Sequence, residues 1–296
     1  MVTASAARLR ADIERLKALR GAASAAVPAD RLEFAAAAGL PELDPWQEDL
    51  LRSTANRTLL NCCRQSGKST MSAVIALHRA LYHPRSLILC LAPALRQSQE
   101  LFGKVAGFYR DLGRPVPADA EQRLGLELAN GSRIAALPGS ERTVRGFSGV
   151  DLLIVDEAAR VDDALVHSIR PMLAVSGGSL MMLSTPWGKR GVFFEEWTRE
   201  APGDSSAWER YEVPASQVRR ISEAFLEEER RALPARMYRQ EYECSFEEVD
   251  DAVFAYDLIE EAITPEVAPL FGPESKPPTQ AKLGEAPEDI APLFGA

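Results

Sequence analysis

Short runs of nearly all-apolar residues recur along this chain, and each is followed by a stretch with helical spacing. Residues 58–62 (TLLNC) lead into a helical segment over 68–82, and 86–92 (SLILCLA) lead into another over 94–111. Two further runs, 151–156 (DLLIVD) and 179–184 (SLMMLS), are separated by a helical stretch over 162–173. A strand with one wet face alternates polar and apolar residues, whereas a strand that is apolar throughout is covered on both faces. The pattern therefore predicts an α/β fold with a central, mostly parallel sheet flanked by helices, and with ligands at the carboxyl ends of the strands. One antiparallel pair interrupts it: LGLELA (124–129) and RIAAL (133–137), joined by Asn130-Gly131, a strong hairpin signal.

After Trp197 the character changes. Residues 201–207 read as a loop, WERYEV (208–213) as a strand, and 222–243 as helix broken at Pro234. Upstream, 4–20 read as an amphipathic helix with Leu9, Ile13, Leu16 and Leu19 on one stripe, and the Ala-rich stretch to Gly39 continues it with a break near Val27-Pro28. The expected organisation is an N-terminal helical extension (1–40), a nucleotide-binding core (41–200), a small helical lid and linker (201–256), and an acidic, Pro-rich tail (257–296) of disordered composition. The tail carries APLFG twice, at 268–272 and 291–295.

Charge is unevenly spread. The net formal charge is −9, yet from Glu241 onward there are 14 acidic and 2 basic residues, leaving 32 basic and 29 acidic in the first 240. An acidic tail thus masks a slightly basic body, compatible with contact to nucleic acid through a local patch. No apolar run is long enough to cross a bilayer, and Arg and Asp break the N-terminal stretch where a signal peptide needs apolar residues, so the expected location is cytoplasmic. Cys62, Cys63, Cys90 and Cys244 lack metal-ligand spacing and read as small buried thiols.

The chemistry concentrates at strand ends. Cys62-Cys63-Arg64-Gln65-Ser66-Gly67-Lys68-Ser69 follows an apolar strand and opens a helix, the context of a phosphate-binding loop. Such a loop cradles phosphates with its backbone N–H groups, helped by the helix N-terminus that continues through Thr70. Lys68 would reach the β- and γ-phosphates of ATP, and the Ser69 hydroxyl would ligate Mg²⁺. The glycine usual five residues before Gly67 is Cys62 here, and a plain surface turn is the competing reading. Asp156 and Glu157 close the strand LLIVD: Asp156 would hold Mg²⁺ through water, and Glu157 would act as general base. Alternatively, the two acids merely cap the helix starting near Ala158. Ser184-Thr185, ending the next strand before Pro186-Trp187-Gly188, could sense the γ-phosphate, or form an ordinary strand-ending turn. Gln47 in Pro45-Trp46-Gln47 offers donors and an acceptor to an adenine edge, while Arg64, Arg142 and Arg145 are candidate arginines for transition-state charge.

Taken together, PWQ (45–47), CRQSGKS (63–69), the GS…VRGF segment (139–147), LLIVDEA (152–158) and STPWG (184–188) resemble the large terminase subunit of tailed bacteriophages over about residues 40–256. The resemblance implies a DNA-translocating ATPase. Gln47 would contact adenine, and Arg64 would be the arginine of the phosphate loop. Lys68 and Ser69 would serve phosphate and Mg²⁺, with Asp156 and Glu157 as the Walker B pair and Ser184-Thr185 as the coupling motif. Arg145 stands where some members place an arginine that reaches a neighbouring subunit. Implied partners are double-stranded DNA, a portal protein, a small terminase subunit and further copies in a ring, with no membrane. Members of the family continue with a metal-dependent nuclease domain. The roughly forty residues remaining here are too few for that fold, so no nuclease activity is expected of the chain, and Asp250, Asp251 and Asp257 take no nuclease role. Another nucleic-acid-dependent ATPase, or a non-catalytic remnant binding DNA or partner subunits, remain the alternatives.

Overall fold

The computed structural model describes residues 27–138, 144, 146–199 and 208–248, together with Glu14. The helix read over 4–20 and the tail from 257 lie outside them. One compact unit contains all of the described residues.

Its centre is an eight-stranded sheet in the order β3-β4-β5-β2-β6-β7-β1-β8. The strands are β1 Arg57–Cys62, β2 Leu87–Ala92, β3 Ala118–Gln122, β4 Gly125–Leu128, β5 Arg133–Pro138, β6 Leu152–Asp156, β7 Ser179–Ser184 and β8 Glu209–Val213. All neighbours are parallel except β3–β4 and β4–β5. The all-apolar runs are explained by two separate cores. Leu60, Ile88, Cys90, Ile154, Met181 and Leu183 belong to one core, whereas Leu59, Leu89, Leu91, Leu153, Val155, Leu180 and Met182 belong to the other. Successive residues of a strand point to opposite faces, so a strand covered on both faces must be apolar at every position.

Helices α1 Arg31–Ala37, α2 Pro45–Arg52, α3 Lys68–Tyr82 and α4 Leu95–Asp111 contribute buried residues to the first core. Helices α5 Asp163–Ile169 and α6 Gly191–Thr198 contribute to the second. The last two helices, α7 Glu223–Ala232 and α8 Ala235–Tyr242, are separated at Pro234, as the sequence suggested. One strand, β3, and the placement of another, β8, depart from the expectation. β3 (ADAEQ) has no apolar alternation to announce it, and it is held by antiparallel pairing to β4 at the sheet's edge. β8 falls in the stretch expected to form the lid, and it pairs with β1 as the other edge of the central sheet.

Asn130-Gly131 does join β4 to β5, with Gly131 at φ +84°. The buried Asn130 side chain does more than favour the turn. Its Nδ2 donates to the carbonyls of Ala80 (2.8 Å) and Leu81 (3.3 Å), satisfying acceptors at the end of α3. No helix among the described residues is long and apolar enough to cross a membrane.

Gly178, before β7, marks the tightest backbone approach in this part of the fold. A Cβ there would lie 2.1 Å from the Val150 carbonyl oxygen and 3.0 Å from that of Asp151. Both obstacles are backbone atoms and must move as a unit. Gly178→Ala is therefore expected to destabilise the fold by about 1–3 kcal/mol, read as a lower midpoint in urea unfolding with an unchanged slope.

Candidate functional site

The strand order dictates which side chains meet. β7 lies between β6 and β1, with Asn61 paired to Ser184 and Leu183 to Asp156. The ends of these three strands carry, side by side, the loop before α3, Ser184-Thr185 and Asp156-Glu157. Around the loop opens a cleft of about 850 Å³, lined among others by Gln47, Arg64, Gln65, Ser66, Gly67, Lys68, Ser69, Thr70 and Glu157.

The loop is anchored at its start by backbone bonds from Cys63 N–H to the Val213 carbonyl and from Arg64 N–H to the Glu241 carbonyl, both 3.0 Å. Gln65 (φ +60°) and Gly67 (φ +93°) then turn through the left-handed region. Among the described residues, no protein carbonyl accepts from the amides of Gln65, Ser66, Gly67, Lys68 or Ser69. A run of unspent amides at a helix N-terminus is an anion-binding concavity. Cys62, which replaces the customary glycine, is the last residue of β1 and fully buried. No left-handed conformation is needed there, so a small apolar side chain serves, and burial pushes its thiol up to about 12. All four cysteines are free and buried.

Lys68 Nζ donates to Thr185 Oγ1 (3.2 Å) and stands 3.5 Å from Glu157 Oε1. Ser69 Oγ donates to Asp156 Oδ2 (2.9 Å), whose other oxygen accepts from the Glu157 amide (3.0 Å). Burial, and secondarily the neighbouring Glu157 carboxylate, raise the Asp156 pKa above the ordinary carboxylate range. Glu157 sits at φ +52°, a conformation a side chain larger than glycine adopts at a cost. The segment that follows is fixed by the bond from Ala159 N–H to Ser184 Oγ (3.2 Å) and by the Arg160 guanidinium, which stacks 3.8 Å from the Trp187 ring centre. Ser184-Thr185 is thus joined to the lysine and to the segment that follows the acidic pair.

The remaining expectations divide. Gln47 lines the cleft, and its Nε2 lies 3.0 Å from where a Gly67 Cβ would be; its Oε1 is already taken by the Asp44 amide (2.9 Å). Arg64 borders the cleft, but its largely exposed guanidinium pairs with Glu241 (2.7 Å) on α8. Ser66 is buried, and Thr70 faces the cleft from the first turn of α3. Arg142 and Arg145 lie outside the described residues, as do Asp250, Asp251 and Asp257. Among the described residues no group of three or more His, Cys, Asp or Glu side chains could hold a metal ion by itself. Two basic residues went unnoticed in the sequence. Arg220 donates to the Ser66 carbonyl (2.8 Å) and pairs with Asp44 (3.2 Å), and Lys104 of α4 donates to Thr70 Oγ1 (3.4 Å). Neither has a local signature, because the partners of both are distant in the chain.

A left-handed loop with unspent amides, opening a helix and facing an acidic pair across one parallel sheet, defines a P-loop nucleotide-binding fold. The family model described as "Terminase large subunit, T4likevirus-type, N-terminal" matches residues 59–261. The chain belongs to this family. A large terminase subunit of Thermus virus P23-45 is 32% identical over 156 residues, covering 46% of this chain and 32% of that protein. The large terminase ATPase domain of Thermus phage P74-26 superposes with a TM-score of 0.63 at 25% identity, covering 73% of this chain and 98% of that domain. The large terminase of a thermophilic bacteriophage, solved in complex with ADP, gives 0.56 at 11% identity, over 69% and 54% of the two chains, a likeness of fold. The chain spans less than half the length of the curated relatives it matches.

The electrostatics of Asp156 have a measurable consequence. Its folded-state pKa is raised, so the protonated form favours the fold, and stability present at low pH is lost as pH rises through the folded pKa. Asp156→Asn escapes that loss. Its melting temperature in metal-free buffer is expected to exceed the wild type at pH 8, with the gap closing below about pH 4; thermal melts across that range check the sign.

Proposed function

We propose that this chain hydrolyses ATP as the motor part of a terminase large subunit, translocating double-stranded viral DNA into a procapsid. The observation that carries the reading is the meeting of Ser69 with Asp156 and of Lys68 with Glu157 at a loop of unspent amides. The ADP complex of the thermophilic bacteriophage terminase, which shares this fold, supports adenine nucleotide as the ligand.

Mg²⁺ fits the donors present, since Ser69 Oγ and Asp156 Oδ2 are hard oxygen ligands that converge at 2.9 Å beside the loop. When bound there, Mg²⁺ would neutralise charge on the β- and γ-phosphates. The amides of residues 65–69 hold the phosphates, Lys68 adds a cation to them, and Gln47 offers its Nε2 to the base. Glu157 takes a proton from the attacking water as the water oxygen bonds to the γ-phosphorus and the bond to the ADP oxygen breaks, releasing phosphate. A γ-phosphate drawing on Lys68 competes with Thr185 and Glu157 for the same ammonium. In this way the Ser184-Thr185 segment registers the nucleotide state, which suits a coupling role. Arg64 and Arg145 are the candidates to stabilise transition-state charge, Arg145 from a neighbouring copy.

Beyond the nucleotide, the proposed partners are a portal protein, a small terminase subunit and further copies of this chain in a ring, acting in the host cytoplasm during virion assembly. The slightly basic body suits DNA contact.

The test is steady-state ATP hydrolysis with and without double-stranded DNA. Turnover is expected to rise with DNA, and Glu157→Gln to bind ATP with near-wild-type affinity while turning over roughly 10²–10⁴-fold more slowly. Lys68→Ala is expected to weaken nucleotide binding at least about tenfold by calorimetry, the loss of one charge-assisted contact. Equal rates for Glu157→Gln and wild type would remove Glu157 from the mechanism.

A further inference from the structure

Lys104 projects from the middle of α4, a helix that packs on α3 and on the sheet and contributes no backbone to the phosphate loop. Its ammonium donates to the Thr70 hydroxyl (3.4 Å), one residue beyond the Ser69 that touches Asp156, and its side chain lines the same cleft as Lys68, Ser69 and Glu157. Partial burial lowers its pKa, against counteracting pulls from the Asp156 and Glu100 carboxylates and with a further push from Lys68. No carboxylate forms an ion pair with Lys104 among the described residues. Glu100, one turn earlier, is engaged with Arg96 at 3.0 Å. A cation lining an anion-binding cleft, with no direct ion pair to a carboxylate among the described residues, is positioned for a negatively charged ligand.

Resting on the nucleotide reading above, we propose that Lys104 is a second lysine contact to the polyphosphate of the bound nucleotide, delivered by α4 from outside the phosphate loop. Lys68 is fixed by the loop's own geometry. Lys104 instead reports whether α4 is seated against α3, so phosphate affinity depends on the packing of these two helices. Mounting the contact on a regular helix fixes the base of its side chain more firmly than a surface loop would.

Inorganic tripolyphosphate isolates this contact, because it carries neither base nor ribose. Isothermal titration of the whole chain with tripolyphosphate and with ATP, both in Mg²⁺, is expected to show an approximately tenfold loss for Lys104→Ala on both ligands. Lys104→Arg, which keeps the charge, is expected to recover most of that loss. An unchanged melting temperature for both variants shows the fold intact. Wild-type affinity for tripolyphosphate in Lys104→Ala overturns the assignment while leaving the ATPase reading standing. A loss that Lys104→Arg does not recover overturns it as a charge contact. A wild-type chain that binds neither ligand overturns the nucleotide reading, and this one with it.

Discussion

The hydrogen bond from Ser69 to Asp156 joins residues 87 positions apart, and most of what this molecule can do depends on its being possible. It requires β1 and β6 to end at the same edge of the sheet with a single strand between them. Parallel pairing meets that requirement, because each crossover through a helix returns the chain to the same starting edge. β7 then fills the gap with a register that sets Ser184 beside Asn61. From that placement follow the bonds of Thr185 to Lys68 and of Ser184 to the Ala159 amide. A sheet with β6 directly beside β1 would have no strand end between the loop and the acids, and the lysine would lack its hydroxyl partner.

This arrangement opposes stability in places. Asp156 is nearly inaccessible to solvent, and its pKa is raised because burial and the Glu157 carboxylate outweigh the help from Lys68 and from two hydrogen bonds. Glu157 holds a left-handed backbone, and the amides of residues 65–69 have no carbonyl partner among the described residues. Each feature has a cost in the fold taken alone, and under the proposed function a bound polyphosphate with Mg²⁺ would offset those of Asp156 and of the amides. The compensation on the protein side lies in the two cores, where every position of β6 and β7 is buried. A site this strained needs a rigid sheet beneath it.

The sequence was readable where a signal is local. The helix over 68–82 and the hairpin at Asn130-Gly131 were predicted from neighbouring residues and appear as such. The acidic pair at a strand end likewise needed only an apolar run that stops. Cys62 looked like a defect in the loop motif, and the structure shows why it is not one: the position belongs to β1, so the left-handed turns fall later, at Gln65 and Gly67. What could not be read is whatever depends on partners far away in the chain. β3 exists because β4 offers it an edge, and β8, legible as a strand from its own residues, owes its place at the sheet's other edge to β1. Arg220 matters because Asp44 and Ser66 surround it, and nothing in VRRIS announces that. Asp44 was more accessible, since an aspartate before Pro45 and three residues ahead of Gln47 has the spacing of a helix start.

The anchoring of the phosphate loop carries the argument beyond the nucleotide. Cys63 donates to Val213, at the end of β8, and Arg64 donates to Glu241 near the end of α8. Asn61 Nδ2 donates to the Cys244 carbonyl (2.9 Å), and the Cys244 thiol donates to that of Val213 (3.2 Å). Arg220, just ahead of α7, grips the Ser66 carbonyl from the other side. β8 and the segment after it are thus bonded to the loop's backbone at Cys63, Arg64 and Ser66, so a displacement of the loop strains these bonds directly. Backbone hydrogen bonds tolerate little lengthening. For the motor function proposed above, this connection couples the strand that ends in the loop to the segment that follows β8 through hydrogen bonds they already share.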